Sequence, residues 1–374
     1  MSFRAAFDLS TVPHALGGVS GYLMSLAAAL QESAGEAGCE LVTVDVPAVH
    51  PGIPGPELAA VSVPTPAYLK VPFIRRIPLR RGWEEESRAR RIAAATGYPS
   101  VYHHGGVQPG CPPGAVSVVT VYDLSAREHP EWHTPETVEY FRMEEGLLRS
   151  GSFACAISAW TARRVHDALE VPWERILAAG GAAADRFSPG SPSSEVMETC
   201  GLVPGHYMLH VGNFVPRKNI PFLCDSYMRS RERGLELPLV FVGAGGWGEE
   251  GPADGEGIRI LRNMPDSHMP DLYRGAVALL LPSECEGLGL PVLEALACGT
   301  PVICSDAAAL PETLDGCGRL LPAGDTEAWT SAMLTLGDPA EVEQLRNMAA
   351  KHRRVRWESV AKTVLDFYRR ISRS

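Results

Sequence analysis

The chain lacks the features that mark secreted, membrane-spanning and zinc-binding proteins. No run reaches the roughly eighteen apolar residues that a membrane span requires, and no basic segment with an apolar core and cleavage site lies near residue 1. The 9 cysteines are odd in number and include no C-x-x-C pair, which indicates neither a disulfide framework nor a zinc site. We expect a reduced, cytoplasmic and metal-free protein.

Positive charge is also scarce. The 34 Lys and Arg residues are outnumbered by 44 Asp and Glu residues, so the formal net charge is -10, which argues against nucleic acid as the main partner. Hydrophobic residues make up 45% of the chain and charged residues 21%, as in ordinary globular proteins. A length of 374 residues is sufficient for two domains.

Short apolar runs rich in β-branched residues alternate with helical patterns, which is typical of a parallel α/β sheet. Because these runs are nearly continuous in apolar residues, we expect helices on both faces of each sheet. The predicted strands are 4–9, 41–46, 101–103, 116–121, 153–158 and 176–179, followed by 208–211, 239–242, 258–261, 277–281, 302–304 and 319–321.

A Ser/Pro/Gly-rich segment at 188–194 predicts a linker between two doubly wound halves. Ligands bind outside the carboxyl ends of the strands in such sheets, so two facing halves would enclose a cleft. The last segment, 341–373, is charged and helical in pattern, and its apolar stripe predicts a docking helix.

The most informative segment is 283–300, where a predicted strand leads through a loop with two glycines into a helix. Backbone amides and the positive dipole at a helix start attract phosphate, and Gly287 and Gly289 would let a ligand approach the backbone. Glu294, about one turn into the helix, suits paired ribose hydroxyls. Glu286 would face the group that the phosphates carry. The pattern indicates a sugar-nucleotide site.

This segment resembles the glutamate-pair motif of the retaining, family 4 glycosyltransferases of GT-B fold. The resemblance continues through Cys298-Gly299-Thr300-Pro301-Val302-Ile303 and Leu310-Pro311-Glu312. It implies an α/β protein of two Rossmann-like, doubly wound parallel-sheet domains that face a central cleft. The implied units are an acceptor-binding domain at 1–187, a nucleotide-sugar-binding domain at 188–355 and a C-terminal helix at 356–374 that returns to the first domain.

A cationic loop at 210–219 resembles the donor-phosphate loop of that family. Lys218 matches the lysine that reaches the diphosphate, a task that suits a compact point charge. Relatives often carry arginine after the loop glycine, where this chain has Asn213. Either Arg217 compensates or the diphosphate is held by one cation fewer, and we favour a role shared by Lys218 and Arg217.

Two glycine-rich segments resemble other parts of the donor site. Residues 17–22 resemble the loop that faces the donor phosphates across the cleft, and 243–247 resemble a turn near the nucleotide base. Plain turns are the alternative for both. The donor-binding residues that the resemblance implies are Gly18, Val19, Asn213, Arg217, Lys218, Gly243, Glu286, Gly287, Leu288, Gly289, Leu290 and Glu294.

The segment 101–131 resembles the catalytic part of the first domain. Where relatives have a histidine that touches the donor sugar, this chain has Tyr122, which can donate a hydrogen bond but cannot be a cation near neutral pH. Asp123 matches the family position or caps the following turn. His103 and His104 either face the cleft or are buried and satisfied. The implied catalytic residues are Glu286, Lys218, Tyr122 and Asp123.

The chain contains no Asp-x-Asp pair, the metal-binding motif of the other major glycosyltransferase fold. Leaving-group charge would then fall on Lys218, Arg217 and the helix start, without a metal or any cofactor besides the donor. The resemblance implies transfer of a mannose- or glucose-type hexosyl group, with retention, from a UDP- or GDP-sugar to an unidentified acceptor glycan or lipid-linked sugar. Surface polysaccharide or glycoconjugate assembly is the implied setting. A small-molecule glycosyltransferase and a catalytically silent partner subunit are the alternatives.

Basic residues outnumber acidic ones at 70–91, with apolar residues between them. This stretch predicts peripheral contact with anionic lipids on the inner face of the cell membrane. An anionic acceptor and a plain solvated surface are the alternatives.

Overall fold

Two parallel β-sheets organise the chain in the computed structural model, which describes residues 2–10, 18–44, 60–61, 78–106, 110–243, 245 and 251–373. The first half of the chain forms one sheet and the second half forms the other. Helices pack on both, so the α/β class predicted from the alternating pattern is confirmed.

The first sheet has seven parallel strands in the order β3-β2-β1-β4-β5-β6-β7. Its order reverses beside β1, which makes it doubly wound. The strands are β1 Phe3–Asp8, β2 Cys39–Val44, β3 Ala60–Val61, β4 Val101–His104, β5 Val116–Val121, β6 Phe153–Ala156 and β7 Ile176–Ala178. The helices of this half are α1 Gly18–Ala34, α2 Pro78–Thr96, α3 Ser125–Glu128, α4 Pro135–Arg149 and α5 Ala159–Leu169.

The second sheet has six parallel strands in the order β10-β9-β8-β11-β12-β13. Three of them, β9, β11 and β12, are buried along their whole length, as expected for strands covered on both faces. The strands are β8 Met208–Val211, β9 Leu239–Val242, β10 Ile258–Leu261, β11 Ala278–Leu281, β12 Val302–Ser305 and β13 Arg319–Leu321. The helices are α6 Ser194–Cys200, α7 Ile220–Glu232, α8 Met269–Gly275, α9 Leu290–Cys298, α10 Leu310–Leu314, α11 Thr326–Thr335, α12 Pro339–Ala349 and α13 Trp357–Ile371.

The twelve strands predicted from the sequence are all present, five of them with identical bounds. Strand β3 was missed because two residues are too short to produce a pattern. The helical pattern over 341–373 comprises two helices, since α12 ends at Ala349 and α13 begins at Trp357, and α13 lies within the helix expected at 356–374. Asp338 and Pro339 begin α12, and the Asp338 carboxylate accepts the Ala340 amide.

The last helix, α13, packs against the first half of the chain, chiefly on α1. The ring of Phe367 meets Phe153 of β6 at 5.8 Å, edge to face, and Trp357 meets Tyr22 of α1 at 5.1 Å. The Tyr368 hydroxyl hydrogen-bonds to Nδ1 of His103 in β4. The second sheet is thus followed by a helix that belongs to the core of the first.

None of the helices in the described ranges has the length and apolar content that crossing a bilayer takes. Of the basic stretch at 70–91, residues 70–77 lie outside the described residues, and the remainder belongs to α2. Membrane contact through this stretch stays a prediction.

We predict that Tyr368→Phe lowers the free energy of unfolding by about 1–2 kcal/mol, because it leaves a buried ring nitrogen of His103 without its partner. Urea denaturation at an unchanged slope measures the loss. Lys362→Ala, which removes only an exposed ion pair with Glu358 on the same helix, should change the stability little. Equal midpoints for Tyr368→Phe and wild type would contradict the docking role of this bond.

Candidate active site

Two cations lie where β8 ends, at the carboxyl edge of the second sheet. Arg217 and Lys218 belong to a single 3₁₀ turn, Pro216–Lys218, which Asn219 closes with a left-handed φ of 56°. Asparagine tolerates this backbone conformation better than most residues. The Lys218 side chain runs past Gly212, where a Cβ would lie 3.3 Å from Lys218 Cε. Both cations therefore extend from one turn at the carboxyl edge of the second sheet.

Glu286 joins these cations into one buried cluster. One of its carboxylate oxygens contacts Lys218 Nζ and accepts the Ser283 hydroxyl at 2.7 Å, and the other lies 3.1 Å from Arg217 Nη1. Burial alone would raise the pKa of Glu286, but the charges of Lys218 and Arg217 outweigh it and lower the pKa to about 2. The cluster therefore holds two cations and one carboxylate, a net positive charge at the sheet edge.

The first turn of α9 offers fewer amides to a phosphate than the sequence predicted. The helix begins at Leu290, after Gly289 in the left-handed region with φ 82°. Pro291 has no amide hydrogen, and the amides of Val292 and Leu293 donate to the Gly289 carbonyl. The predicted phosphate contact through this turn is therefore limited to its start.

Gly287 lies where the backbones of the two halves pack closely. A Cβ at this position would lie 1.9 Å from the carbonyl oxygen of Tyr122 in the first half. The glycine is thus required by close backbone packing between the two halves. The Thr161 hydroxyl lies between the same two segments, with its Oγ1 3.2 Å from the Tyr122 carbonyl oxygen and 3.3 Å from the Gly287 carbonyl oxygen.

The second glutamate of the motif, Glu294, is half-buried in α9 and accepts the Tyr273 hydroxyl at 2.7 Å. Burial raises its pKa to about 7, although the bond from Tyr273 and the charge of Arg186 act in the opposite direction. Its carboxylate therefore gains and loses a proton near neutral pH.

Asp123 supplies a carboxylate from the first half of the chain. Its Oδ1 accepts the Ser125 amide at 2.9 Å and the Ser125 hydroxyl at 2.6 Å, so it caps the following turn, as one of the two alternatives proposed. Burial acts to lower the pKa of Arg217, but the charge of Glu286 and, to a smaller extent, that of Asp123 raise it, so Asp123 acts on the cluster electrostatically. His133 Nε2 lies 2.9 Å from the Ser125 hydroxyl and extends this network.

Tyr122 is not directed as predicted. Its ring is buried, and its hydroxyl donates to the Gly105 carbonyl at 2.7 Å rather than pointing to a sugar. Burial raises the pKa of this phenol further above its usual value. His103 is likewise buried, with Tyr368 and Thr120 at its two ring nitrogens, and burial lowers its pKa to about 3. Both side chains therefore serve the packing of the first half.

The other predicted donor-binding residues fall into two groups. Gly18 at the start of α1 lies opposite Leu290, with a Cβ 3.9 Å from its Cδ1, and Leu288 packs beside Gly181. Val19, next to Gly18, is exposed. The α1 helix begins at Gly18, so residues 18–22 of the segment that resembles a loop belong to its first turns. This group brings the two helix starts together.

The second group lies along the loops after β8 and β9. Asn213 is exposed, and Gly243 fits where a Cβ would meet the Gly212 carbonyl oxygen at 2.0 Å, so tight packing explains this glycine. Within the predicted glycine-rich segments, Gly17, Ala244, Gly246 and Trp247 lie outside the described residues.

Sequence reasoning missed the residues that orient the charged groups. Ser283 holds Glu286 and lies inside the recognised motif, so its position was an available signal. Tyr273 holds Glu294 from another helix, and Ser125 and His133 hold Asp123 through a network that no spacing reveals. In the described ranges, no group of three or more His, Cys, Asp or Glu side chains is arranged to hold a metal ion.

Comparison with known proteins identifies the family. The family model described as glycosyl transferases group 1 matches residues 205–338, which contain Lys218, Glu286 and Glu294. O-antigen chain mannosyltransferase B of Escherichia coli is 31% identical over 270 residues, which span 68% of this chain and 70% of that protein. The chain belongs to the group 1 glycosyltransferases.

Solved structures agree on the fold of this glycosyltransferase. A sucrose-phosphate synthase from Thermosynechococcus elongatus is 18% identical and superposes with a TM-score of 0.71, covering 98% of each chain. An Anabaena protein solved with UDP and glucose is 14% identical, with a TM-score of 0.69 over 97% of this chain and 98% of that one. At these identities the likeness concerns the fold alone, and it confirms the predicted GT-B architecture.

We predict that the ionisation of Glu286 makes the free energy of unfolding fall at acidic pH. Its pKa is lowered in the folded protein, so its contribution is complete above the unfolded value of 4.5 and is lost as the pH falls toward 2. From about pH 6 to about pH 3.5, wild type should lose about 1–2 kcal/mol more unfolding free energy than Glu286→Gln. Urea denaturation at both pH values measures the difference, and parallel losses would contradict the ion pairing.

Proposed function

We propose that this protein is a retaining, family 4 glycosyltransferase that moves a hexosyl group from a nucleoside diphosphate sugar to an acceptor hydroxyl. The observation that carries the proposal is the buried cluster of Lys218, Arg217 and Glu286 at the carboxyl edge of the second sheet. A net positive, largely dehydrated site is suited to a diphosphate, which is the leaving group of this reaction. The charge of Asp123 in the first half acts on the same cluster, since it contributes to raising the pKa of Arg217.

Each group has a distinct part in the proposed reaction. Lys218 and Arg217 neutralise the charge that develops on the departing phosphate as the anomeric C–O bond breaks. The acceptor oxygen attacks from the same face, and the departing phosphate takes the acceptor proton, which gives retention. Glu286 holds both cations in place, and Glu294 accepts hydrogen bonds from the ribose hydroxyls.

The donor is a UDP- or GDP-sugar in this proposal. Support comes from two sides: the Escherichia coli relative is a mannosyltransferase that acts on the O-antigen chain, and the Anabaena protein of the same fold binds UDP and glucose. We propose a mannose- or glucose-type sugar and an acceptor in surface polysaccharide assembly. Lys218 and Arg217 supply positive charge that a divalent cation would otherwise supply to the leaving group, so we propose transfer without a metal ion.

A second candidate is a catalytically silent partner subunit. The observation that favours it is Tyr122, whose hydroxyl is held by the Gly105 carbonyl rather than offered to a sugar. Exposed Asn213, in the place of an additional cation, points the same way. The complete cation cluster favours the enzyme, because burying two cations with one carboxylate is costly unless a ligand uses the excess charge.

We predict that Lys218→Ala reduces turnover by about 10²-fold or more, because the departing phosphate loses its main charge partner. The measurement is release of UDP from UDP-glucose and of GDP from GDP-mannose, with EDTA present. Lys218→Arg, which keeps the positive charge, serves as the matched control for folding and should retain part of the activity. Wild-type protein that binds nucleotide but releases none would support the silent subunit instead.

We predict that nucleotide affinity follows the ionisation of Glu294. Its pKa is raised to about 7, so the carboxylate that accepts ribose hydroxyls forms as the pH rises through this value. Affinity for UDP or GDP should increase by up to about tenfold from about pH 6 to about pH 8. In Glu294→Gln only the titration of the nucleotide itself should remain. Calorimetry that gives the same pH dependence for both proteins would exclude Glu294 from the ribose site.

A further inference from the structure

A carboxylate of the second half caps a helix of the first half. Glu312 in α10 accepts the amides of Ala159 and Trp160, one with each oxygen and both at 2.8 Å. These amides belong to the first turn of α5, where backbone N–H groups have no acceptor within the helix and the dipole is positive. The Ser158 hydroxyl accepts the next amide, that of Thr161, at 3.0 Å. The two halves thus complete one helix cap.

The same short helix supports the loop that carries Glu286. The Ala309 amide, just before α10, donates to the Glu286 carbonyl at 3.2 Å, and the Thr313 hydroxyl donates to the Leu288 carbonyl. Leu310 fills the space beside Gly289, where a Cβ would lie 2.7 Å from its Cδ2. The 286–289 loop is therefore fixed to α10 at three points along its length.

The contact between Glu312 and α5 continues into the loop itself. Thr161, in the first turn of α5, contacts the carbonyls of both Tyr122 and Gly287. Asp123 follows Tyr122 directly, so the position of α5 relative to the loop also fixes the position of Asp123 relative to Glu286. One connected set of hydrogen bonds therefore links Glu312, α5, the loop and the backbone of the first half next to Asp123.

We propose that Glu312 is a positioning residue for the transfer reaction. By capping α5 across the halves, Glu312 holds the 286–289 loop in a fixed position relative to Asp123. This inference rests on the proposed function, because the loop positions a donor only if the protein binds one. Glu312 acts through the loop and through α5 and does not touch the donor.

An ordinary surface ion pair does not account for this geometry. Arg163 Nη2 lies 3.5 Å from Glu312, and the Arg163 side chain is 57% exposed, so this pair contributes little. The two amide bonds are shorter and use both carboxylate oxygens. Arg163→Ala therefore removes the ion pair and leaves the cap, which makes it the matched control.

The first test measures amide exchange in the full chain without any ligand. In Glu312→Ala, the amides of Ala159 and Trp160 should exchange about tenfold faster or more, because no helical acceptor replaces the carboxylate. Glu312→Gln keeps one accepting oxygen and should give an intermediate effect, whereas Arg163→Ala should match wild type. Unchanged exchange in Glu312→Ala would overturn the cap.

The second test separates positioning from general stability. Glu312→Ala should bind UDP or GDP within about twofold of wild type, because the proposed nucleotide contacts lie in the second half, while turnover of UDP-glucose or GDP-mannose falls about tenfold or more. Turnover equal to wild type, despite faster exchange, would overturn the positioning role. If wild type binds neither nucleotide, the proposed function fails, and the exchange result still decides whether the cap exists.

Discussion

A buried carboxylate between two cations is the interaction on which the site depends. Without Glu286, Lys218 and Arg217 would lose the carboxylate that contacts both of them and offsets much of the cost of removing their charges from water. With Glu286 in place, these three side chains carry two positive charges and one negative charge, so the group keeps a net positive charge. In the proposed reaction, such a site is ready for an anion before any ligand binds, which is the electrostatic preorganisation that departure of a phosphate requires.

The loop that carries Glu286 also packs closely against the first half. Gly287 allows its backbone to touch the Tyr122 carbonyl, and Leu288 packs beside Gly181. Catalytic geometry and contact between the halves therefore depend on the same four residues. A change in the relative position of the halves would move Glu286 and its cations with respect to Asp123, so the interface and the active site cannot vary independently.

The sequence predicted the strands and the second-half motif well because both depend on local patterns. Apolar runs with turn residues define β5, β8 and β9 without tertiary information, and the strand-loop-helix order around Glu286 is contiguous in the chain. The cationic turn at Lys218 follows a strand in the same way. These features express short-range geometry, which a single sequence contains.

The misassigned residues depend on contacts between distant segments. The packing of Gly287 against Tyr122, far earlier in the chain, has no sign in the sequence. The Tyr122 hydroxyl was assigned to a sugar because its acceptor, the Gly105 carbonyl, is a backbone atom without a sequence signal. The start of α9 was expected to expose several amides, but Pro291 has no amide hydrogen and the amides of Val292 and Leu293 donate to the Gly289 carbonyl.

The most direct measurement of the central claim is the crystal structure of the wild-type protein grown with UDP or with GDP. The account predicts a diphosphate in hydrogen-bonding contact with Lys218, between the carboxyl edges of the two sheets, with the ribose hydroxyls at Glu294. A nucleotide that binds elsewhere, or one whose diphosphate contacts neither Lys218 nor Arg217, would contradict it.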